Sequence, residues 1–142
     1  MAKRDILGLN GMSGDEITDI LDRAVHMEAI VTSNSKSSPL LRGKSIVTLF
    51  YENSTRTRVS FELAAKYLGG VAANMSASGS SVEKGETLID TGVTLDMMGL
   101  DVLIMRHGMS GAPHLVARHI GASVINAGDG MHEHPSQGLL DM

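Results

Sequence analysis

Short apolar runs alternate with helix-like stretches along almost the whole chain. The run SIVTLFY is continuous and rich in strand-forming residues, and three shorter runs follow it. These runs predict strands at 45–51, 71–75, 102–105 and 123–126. Helical periodicity and capping residues predict helices over 13–33, 55–68, about 86–99, Pro113 to about His119, and from about Ser136 onward.

The first two helices carry clear start and stop signals. Ser13 and Glu16 have the spacing of a capping box, and Gly69-Gly70 ends the second helix. Apolar strands that alternate with helices are typical of a parallel sheet covered on both faces. We therefore expect one α/β domain over 1–142, a three-layer αβα structure with a four-stranded parallel sheet. Ligands bind beyond the carboxyl ends of such strands, so the residues after each strand are the informative ones.

The composition excludes several kinds of site and partner. The 142 residues include no cysteine, which excludes disulfides and thiolate zinc sites. The net charge is −4 and only four residues are aromatic, which argues against a nucleic-acid partner. No apolar run approaches the roughly 18 residues of a membrane span, so we expect no membrane partner and a cytoplasmic location.

The turn after the first strand is basic and rich in hydroxyl groups. It consists of Ser54, Thr55, Arg56, Thr57 and Arg58. The first turn of a helix offers unpaired N–H groups and the positive end of the helix dipole, and arginine adds a planar fork for phosphate or carboxylate oxygens. Ser54 could simply cap the helix beside solvent-exposed arginines, but the two roles are compatible. The turn therefore predicts an anion site, and a phosphate suits it best.

Polar side chains also follow the second and third strands. The loop SASGSSVEKGET contains Ser80, Ser81 and Lys84. It can be an ordinary solvated loop, or a lid whose lysine meets a phosphate as a point charge. Arg106 comes directly after the third strand. It can be a surface residue at a strand end, but its place at the same sheet edge favours a second ligand contact.

The segment after the fourth strand, NAGDGMHEHPSQ, leads into the last helix, where Pro135 suits a first-turn position. His132, His134 and Asp129 allow a metal-site interpretation, although they lack the spacing of a strong zinc pattern. A histidine that polarises a carbonyl, beside the amide of Gln137, is the better chemical interpretation. His134 and Gln137 would then face the non-phosphate part of the ligand.

Four segments together resemble one protein family. They are FYENSTRTRVSFELAAKYLGG, SSVEKGETLIDT, VLIMRH and NAGDGMHEHPSQGLLD. They are similar to the carbamoyl-phosphate half of the aspartate carbamoyltransferases, over essentially the whole chain. The Ser-Thr-Arg-Thr-Arg and His-Pro-x-Gln motifs are shared with the ornithine carbamoyltransferases. The Ser-x-x-x-Lys-Gly-Glu-Thr loop and Met-Arg-His are typical of the aspartate branch.

The resemblance implies a role for each matching residue around carbamoyl phosphate. Arg106, His134 and Thr57 would polarise the carbamoyl oxygen, and Gln137 would bind the carbamoyl amine. The residues that hold the phosphate would be Ser54, Thr55, Arg56 and Thr57. The catalytic group would consist of Arg56, Thr57, Arg106 and His134.

The resemblance also implies an assembly and a reaction. Ser80 and Lys84 would reach into a neighbouring subunit's site, which makes a homotrimer the expected state. Ser80 is preferred to Ser81 because it keeps the family's four-residue spacing to Lys84. The aspartate amine would attack the carbamoyl carbon and give N-carbamoyl-L-aspartate and phosphate, a step of pyrimidine synthesis, with no metal or organic cofactor.

Family members are about twice as long as this chain, and their second domain holds aspartate. We therefore expect the chain alone to bind carbamoyl phosphate with little or no turnover. A non-catalytic phosphate- or anion-binding module, or a trimer-forming module, is the alternative, and an ornithine-type transferase is a nearer one. Regulatory chains or a dihydroorotase are possible partners of the parent enzyme.

Overall fold

The computed structural model describes residues 3–76 and 87–142. Five helices and four strands alternate along these residues. The strands are β1 (Ser45–Phe50), β2 (Val71–Ser76), β3 (Val102–His107) and β4 (Ser123–Asp129). The helices are α1 (Gly14–Thr32), α2 (Thr55–Tyr67), α3 (Leu88–Met97), α4 (Ala112–Ala117) and α5 (Pro135–Leu140).

The strands form one four-stranded sheet in the order β2-β1-β3-β4, and each neighbouring pair is parallel. This confirms the predicted α/β class and the parallel sheet. Phe50, the last residue of β1, lies in register with Arg106 near the end of β3. The carboxyl ends of the strands therefore share one edge, where the residues of predicted function lie.

The alternating side chains of the strands build a separate apolar cluster on each face of the sheet. On one face Ile46, Phe50 and Ile104 pack with Ala65 of α2. On the other face the fully buried Leu49, Leu103, Met105 and Val124 pack with α4 and residues of α3. The three-layer arrangement follows from this period-2 alternation, because a strand buried on both faces must be covered by helices on both sides.

The predicted capping box at the start of α1 is confirmed. Ser13 Oγ accepts the Glu16 N–H at 3.2 Å, and a Glu16 carboxylate oxygen accepts the Ser13 N–H at 2.9 Å. The apolar stripe of α1, in contrast, is not buried: none of its residues is buried among the described part of the chain. No described helix is long and apolar enough to cross a membrane.

Some predicted boundaries were wrong. β3 extends to His107 and β4 extends to Asp129, so Arg106 and the sequence Ala127-Gly128-Asp129 belong to strands rather than to the turns after them. These residues extend the sheet because Arg106 pairs with Phe50 of β1 and His107 pairs with Asp129 of β4. On the outer side of β4 the amino-terminal segment adds a parallel bridge between Ile6 and Ile125. α4 ends at Ala117, two residues before the predicted end.

Helices α3 and α4 approach closely at Gly92, which is buried in the middle of α3. A Cβ at this position would lie 2.8 Å from Val116 Cγ1. Alanine normally stabilises a helix interior by about 1 kcal/mol relative to glycine. Here we expect Gly92→Ala to lower the free energy of unfolding by about 1–3 kcal/mol, because the added methyl group overpacks the helix contact.

Urea unfolding measures this change, with Gly14→Ala at the first position of α1 as the control. No described heavy atom lies within 4 Å of a Cβ at Gly14. The control should therefore be neutral or more stable by up to about 1 kcal/mol. A stabilised Gly92→Ala variant would contradict the close packing of α3 on α4.

Candidate anion-binding site

The amino terminus of α2 is open to a ligand. Ser54 is the N-cap residue, as predicted, but its side chain makes no capping hydrogen bond. The first intrahelical bond runs from the Arg58 N–H to the Ser54 carbonyl at 3.0 Å, so the N–H groups of 55–57 precede it. The first turn contains no acidic residue. Backbone donors and the helix dipole are thus not neutralised by the helix itself.

The basic turn shares a cavity with the last helix. The cavity has a volume of about 490 Å³ and is lined by Ser54, Arg56, Thr57, Ser60, Gln137 and Leu140. Four of the predicted site residues are therefore brought together from two elements that lie about 80 positions apart in sequence. Arg56 and Thr55 are exposed. Within the described ranges no carboxylate forms an ion pair with Arg56, so its guanidinium is available to an external anion.

Arg106 is held flat against the end of β4. Its Nη1 donates to the Ala127 carbonyl at 2.9 Å, and its Nε lies 3.6 Å from Glu52 Oε2. This Nε is buried and has no hydrogen-bond partner among the described residues. A buried guanidinium donor without a hydrogen bond is costly, and the charge of the nearby Glu52 carboxylate offsets part of that cost.

His134 lies beside Arg106, with Gly128 between them. A Cβ on Gly128 would be 2.8 Å from Arg106 Nη1 and 3.4 Å from His134 Cδ2. Burial lowers the pKa of the His134 imidazole, and the positive charge of Arg106 lowers it further. The ring is therefore mainly neutral at pH 7. Its Nδ1 lies 3.2 Å from Ser136 Oγ, and a hydroxyl that donates there leaves a hydrogen on Nε2 for a ligand oxygen.

A fully buried carboxylate organises the turn that carries His134. Asp129 accepts hydrogen bonds at 2.8–3.0 Å from the Gly111 and Glu133 N–H groups, the Asn126 side-chain amide and the His132 ring. Burial by itself would raise the pKa of Asp129, but these hydrogen bonds lower it to about 2. The carboxylate is thus ionised at neutral pH and fixes the chain from β4 to His134.

Sequence reasoning missed three residues that shape this region. Asp129 was considered only as a metal ligand, although it anchors the turn. Gly128 has a φ of +119° and provides the space for Arg106 and His134. Glu52 faces Arg106, and the only signal for it was its place just after β1. The predicted residues Ser80 and Lys84 lie outside the described part of the chain.

Comparisons with known proteins show the family to which the chain belongs. A protein-family model matches residues 4–142. It describes the carbamoyl-phosphate-binding domain of the aspartate and ornithine carbamoyltransferases. The aspartate carbamoyltransferase catalytic subunit of Ruminiclostridium cellulolyticum is 66% identical over 142 residues, which are 100% of this chain and 45% of that protein. The chain belongs to the aspartate/ornithine carbamoyltransferase family. It spans about half the length of the curated relatives it matches.

Solved structures of the carbamoyltransferases share the fold of this domain. Aspartate transcarbamoylase from Trypanosoma cruzi, in complex with carbamoyl phosphate and aspartate, has a TM-score of 0.90 at 36% identity. The match covers 99% of this chain and 43% of that one. The catalytic subunit of M. jannaschii aspartate transcarbamoylase has a TM-score of 0.88 at 42% identity, and the match covers 96% of this chain and 44% of that one.

The close approach of Arg106 to Gly128 can be tested without a ligand. Gly128→Ala would put a methyl group against Arg106, and Gly99→Ala is a matched control. Gly99 has a φ of +90°, but a Cβ there meets no described atom within 4 Å. The positive φ alone costs about 1–2 kcal/mol in each variant. We expect Gly128→Ala to lose about 0.5–1.5 kcal/mol more in urea unfolding, because the Arg106 guanidinium must shift and give up its 2.9 Å hydrogen bond to the Ala127 carbonyl. Equal losses would show that Arg106 does not occupy this space.

Proposed function

We propose that this chain is the carbamoyl-phosphate-binding half of an aspartate carbamoyltransferase. One observation carries the proposal: the first turn of α2 and Gln137 line one cavity, while Arg106 and His134 converge on Gly128 at the same sheet edge. A simple anion site needs only the turn. The additional arginine, neutral histidine and amide suit a ligand that carries a carbonyl and an amine beside its phosphate.

In this proposal the phosphate lies at the amino terminus of α2. The Ser54 and Thr55 hydroxyls and the backbone N–H groups of the first turn, including that of Thr57, donate to its oxygens, and the Arg56 guanidinium adds a charge-assisted pair of hydrogen bonds. An anion gains most here because the turn contains no competing carboxylate. The site therefore binds the dianionic end of the ligand and sets its direction.

The carbamoyl group then points toward the ends of β3 and β4. Arg106, the Nε2–H of His134 and the Thr57 hydroxyl donate to the carbamoyl oxygen, and Gln137 accepts from the carbamoyl amine. These donors stabilise the negative charge that grows on the oxygen when the carbon becomes tetrahedral. The aspartate nitrogen forms a bond to the carbamoyl carbon, the bond from that carbon to the phosphate oxygen breaks, and one proton of the amine passes to the leaving phosphate. The products are N-carbamoyl-L-aspartate and phosphate.

The proposal also covers where aspartate binds and how the chains assemble. The Trypanosoma cruzi protein that holds both ligands is more than twice as long as the matched region. We infer that aspartate is bound by residues beyond these 142, and that the chain alone binds carbamoyl phosphate with little or no turnover. Ser80 and Lys84 would enter the site of a neighbouring copy in a trimer. The activity would serve pyrimidine synthesis in the cytoplasm.

A calorimetric titration of carbamoyl phosphate tests the phosphate part of the site. Arg56→Ala should weaken binding at least tenfold, because it removes a charge-assisted contact worth about 1.5–3 kcal/mol. Arg42→Ala is the matched control, since Arg42 is also exposed but lies in the loop before the amino end of β1. The control should bind as the wild type does. Equal binding by the two variants would overturn the placement of the phosphate.

The rival function is a plain anion-binding module. It predicts that inorganic phosphate binds as tightly as carbamoyl phosphate, and that Gln137→Ala changes neither affinity. The proposed function predicts that Gln137→Ala weakens carbamoyl phosphate selectively. Rapid, saturable turnover of aspartate by the 142-residue chain would contradict the assignment of the acceptor site to residues outside it.

A further inference from the structure

A second polar cavity lies on the other side of the turn that carries His134. It has a volume of about 450 Å³ and lies between the amino-terminal segment and α4. Its walls include His114, His132 and Glu133, and it shares no lining residue with the cavity at α2. The proposed function does not use either of these two histidines.

The two histidine rings meet at this wall although they come from different elements. His114 lies in α4 and His132 lies in the turn after β4, and their ring centroids are 5.5 Å apart. With Asp129 they form the group of described residues whose possible metal-binding atoms all lie within 4.8 Å of one another. Two imidazoles and a carboxylate are an ordinary environment for zinc and similar divalent cations.

Asp129 orients one of the rings. Its Oδ2 lies 2.8 Å from His132 Nδ1, and the other hydrogen bonds to its carboxylate come from Gly111, Asn126 and Glu133. The carboxylate is therefore saturated and rigid. A carboxylate that accepts the Nδ1–H of a histidine directs Nε2 to a metal and increases its basicity. The hydrogen bond between Asp129 and His132 already gives His132 this arrangement.

The second ring has an unsatisfied nitrogen. His114 Nδ1 is buried and has no hydrogen-bond partner in the described structure. A buried polar atom without a partner costs about 1–3 kcal/mol, and such atoms usually mark a water molecule or an ion.

We propose that His114 and His132 bind a divalent transition cation, of which Zn²⁺ is the best example, and that Asp129 positions His132 for this task. Water from the cavity completes the coordination sphere. This site is independent of the proposed reaction, in which the metal takes no part. It would fasten α4 to the turn between Asp129 and His134, and so stabilise the segment that delivers His134.

The rings of His114 and His132 must move slightly closer together to bind one ion. Two nitrogens at 2.0–2.1 Å from a tetrahedral zinc ion are about 3.4 Å apart. One ring nitrogen of His114 lies within 4.8 Å of one ring nitrogen of His132, so the two rings are near enough for a modest rotation to bring a nitrogen of each to one ion. The His132 side chain is 44% exposed, so its ring has room to rotate toward His114.

The structure favours His114 over His134 as the partner of His132. His134 lies against Gly128 beside the Arg106 guanidinium, whose positive charge opposes a cation. The sequence had suggested His132, His134 and Asp129 as the alternative metal set. The proposed site therefore keeps two members of that set and replaces the third.

Titration of ZnCl₂ into the tag-free, EDTA-treated chain, in phosphate-free buffer, tests the proposal. We expect one Zn²⁺ per chain for the wild type. His114→Gln and His132→Gln should each weaken binding at least tenfold, and His134→Gln should not change it. His119→Gln is the matched control, because His119 is exposed and its Nδ1 bonds to the Leu115 carbonyl of its own helical turn. Circular dichroism verifies that each variant is folded.

Ring nitrogen shifts in the wild type provide a measurement that needs no substitution. In ¹H–¹⁵N spectra of the histidine side chains, Zn²⁺ should move the signals of His114 and His132 at the same concentration and leave those of His26 and His119 unchanged. The proposal is overturned if the wild type binds no Zn²⁺ at 100-fold excess over the chain, or if His114→Gln binds as tightly as the wild type. Loss of binding in His134→Gln instead of His114→Gln would restore the set suggested by the sequence.

Discussion

A parallel sheet must place the carboxyl ends of all its strands at one edge, and the chemistry of this chain depends on that constraint. β1 ends just before Ser54, β3 ends with Arg106 and His107, and β4 leads to His134. The three strand ends are far apart in sequence, and the parallel pairing of β1 with β3 and of β3 with β4 brings them together. The site is thus a consequence of the strand direction and the strand order, to which each element contributes one or two side chains.

The buried carboxylate of Asp129 adds rigidity where the strands end. It connects β4, the start of α4 and the turn before α5 through hydrogen bonds that a loop without such an anchor would lack. His132 and His134 emerge from this turn in different environments. His134 lies beside a guanidinium and is neutral, whereas the hydrogen bond to Asp129 raises the pKa of His132. One turn therefore holds two histidines whose pKa values are shifted in opposite directions.

Much of this architecture could be predicted from the sequence, because the signals are local. The apolar run of β1, the capping box at Ser13 and the glycine at the end of α2 each report the conformation of their own neighbourhood. The start of α2 with Ser54 as its N-cap was predictable for the same reason. The ends of β3 and β4 were not, since Arg106 and Asp129 are polar and their burial depends on partners elsewhere in the chain.

The contacts between distant segments could not be predicted from the sequence, for the same physical reason. His114 and His132 are separated by 18 positions, and no periodicity relates them. The apolar stripe of α1 shows the opposite case: a strong local pattern that predicted the helix correctly, although none of its residues is buried in the described structure. Local pattern determines which elements form, and tertiary partners determine what those elements cover.

The central claim is that three strand ends act as one site for one ligand. The most direct measurement is a titration of the ¹⁵N-labelled chain with carbamoyl phosphate, followed by the backbone amide signals. We expect the amides of 55–57, Arg106 and 128–137 to shift together with a single saturation curve, and those of α1 to remain unchanged. If only the amides of 55–57 respond, the turn at α2 binds an anion alone, and the unified site is contradicted.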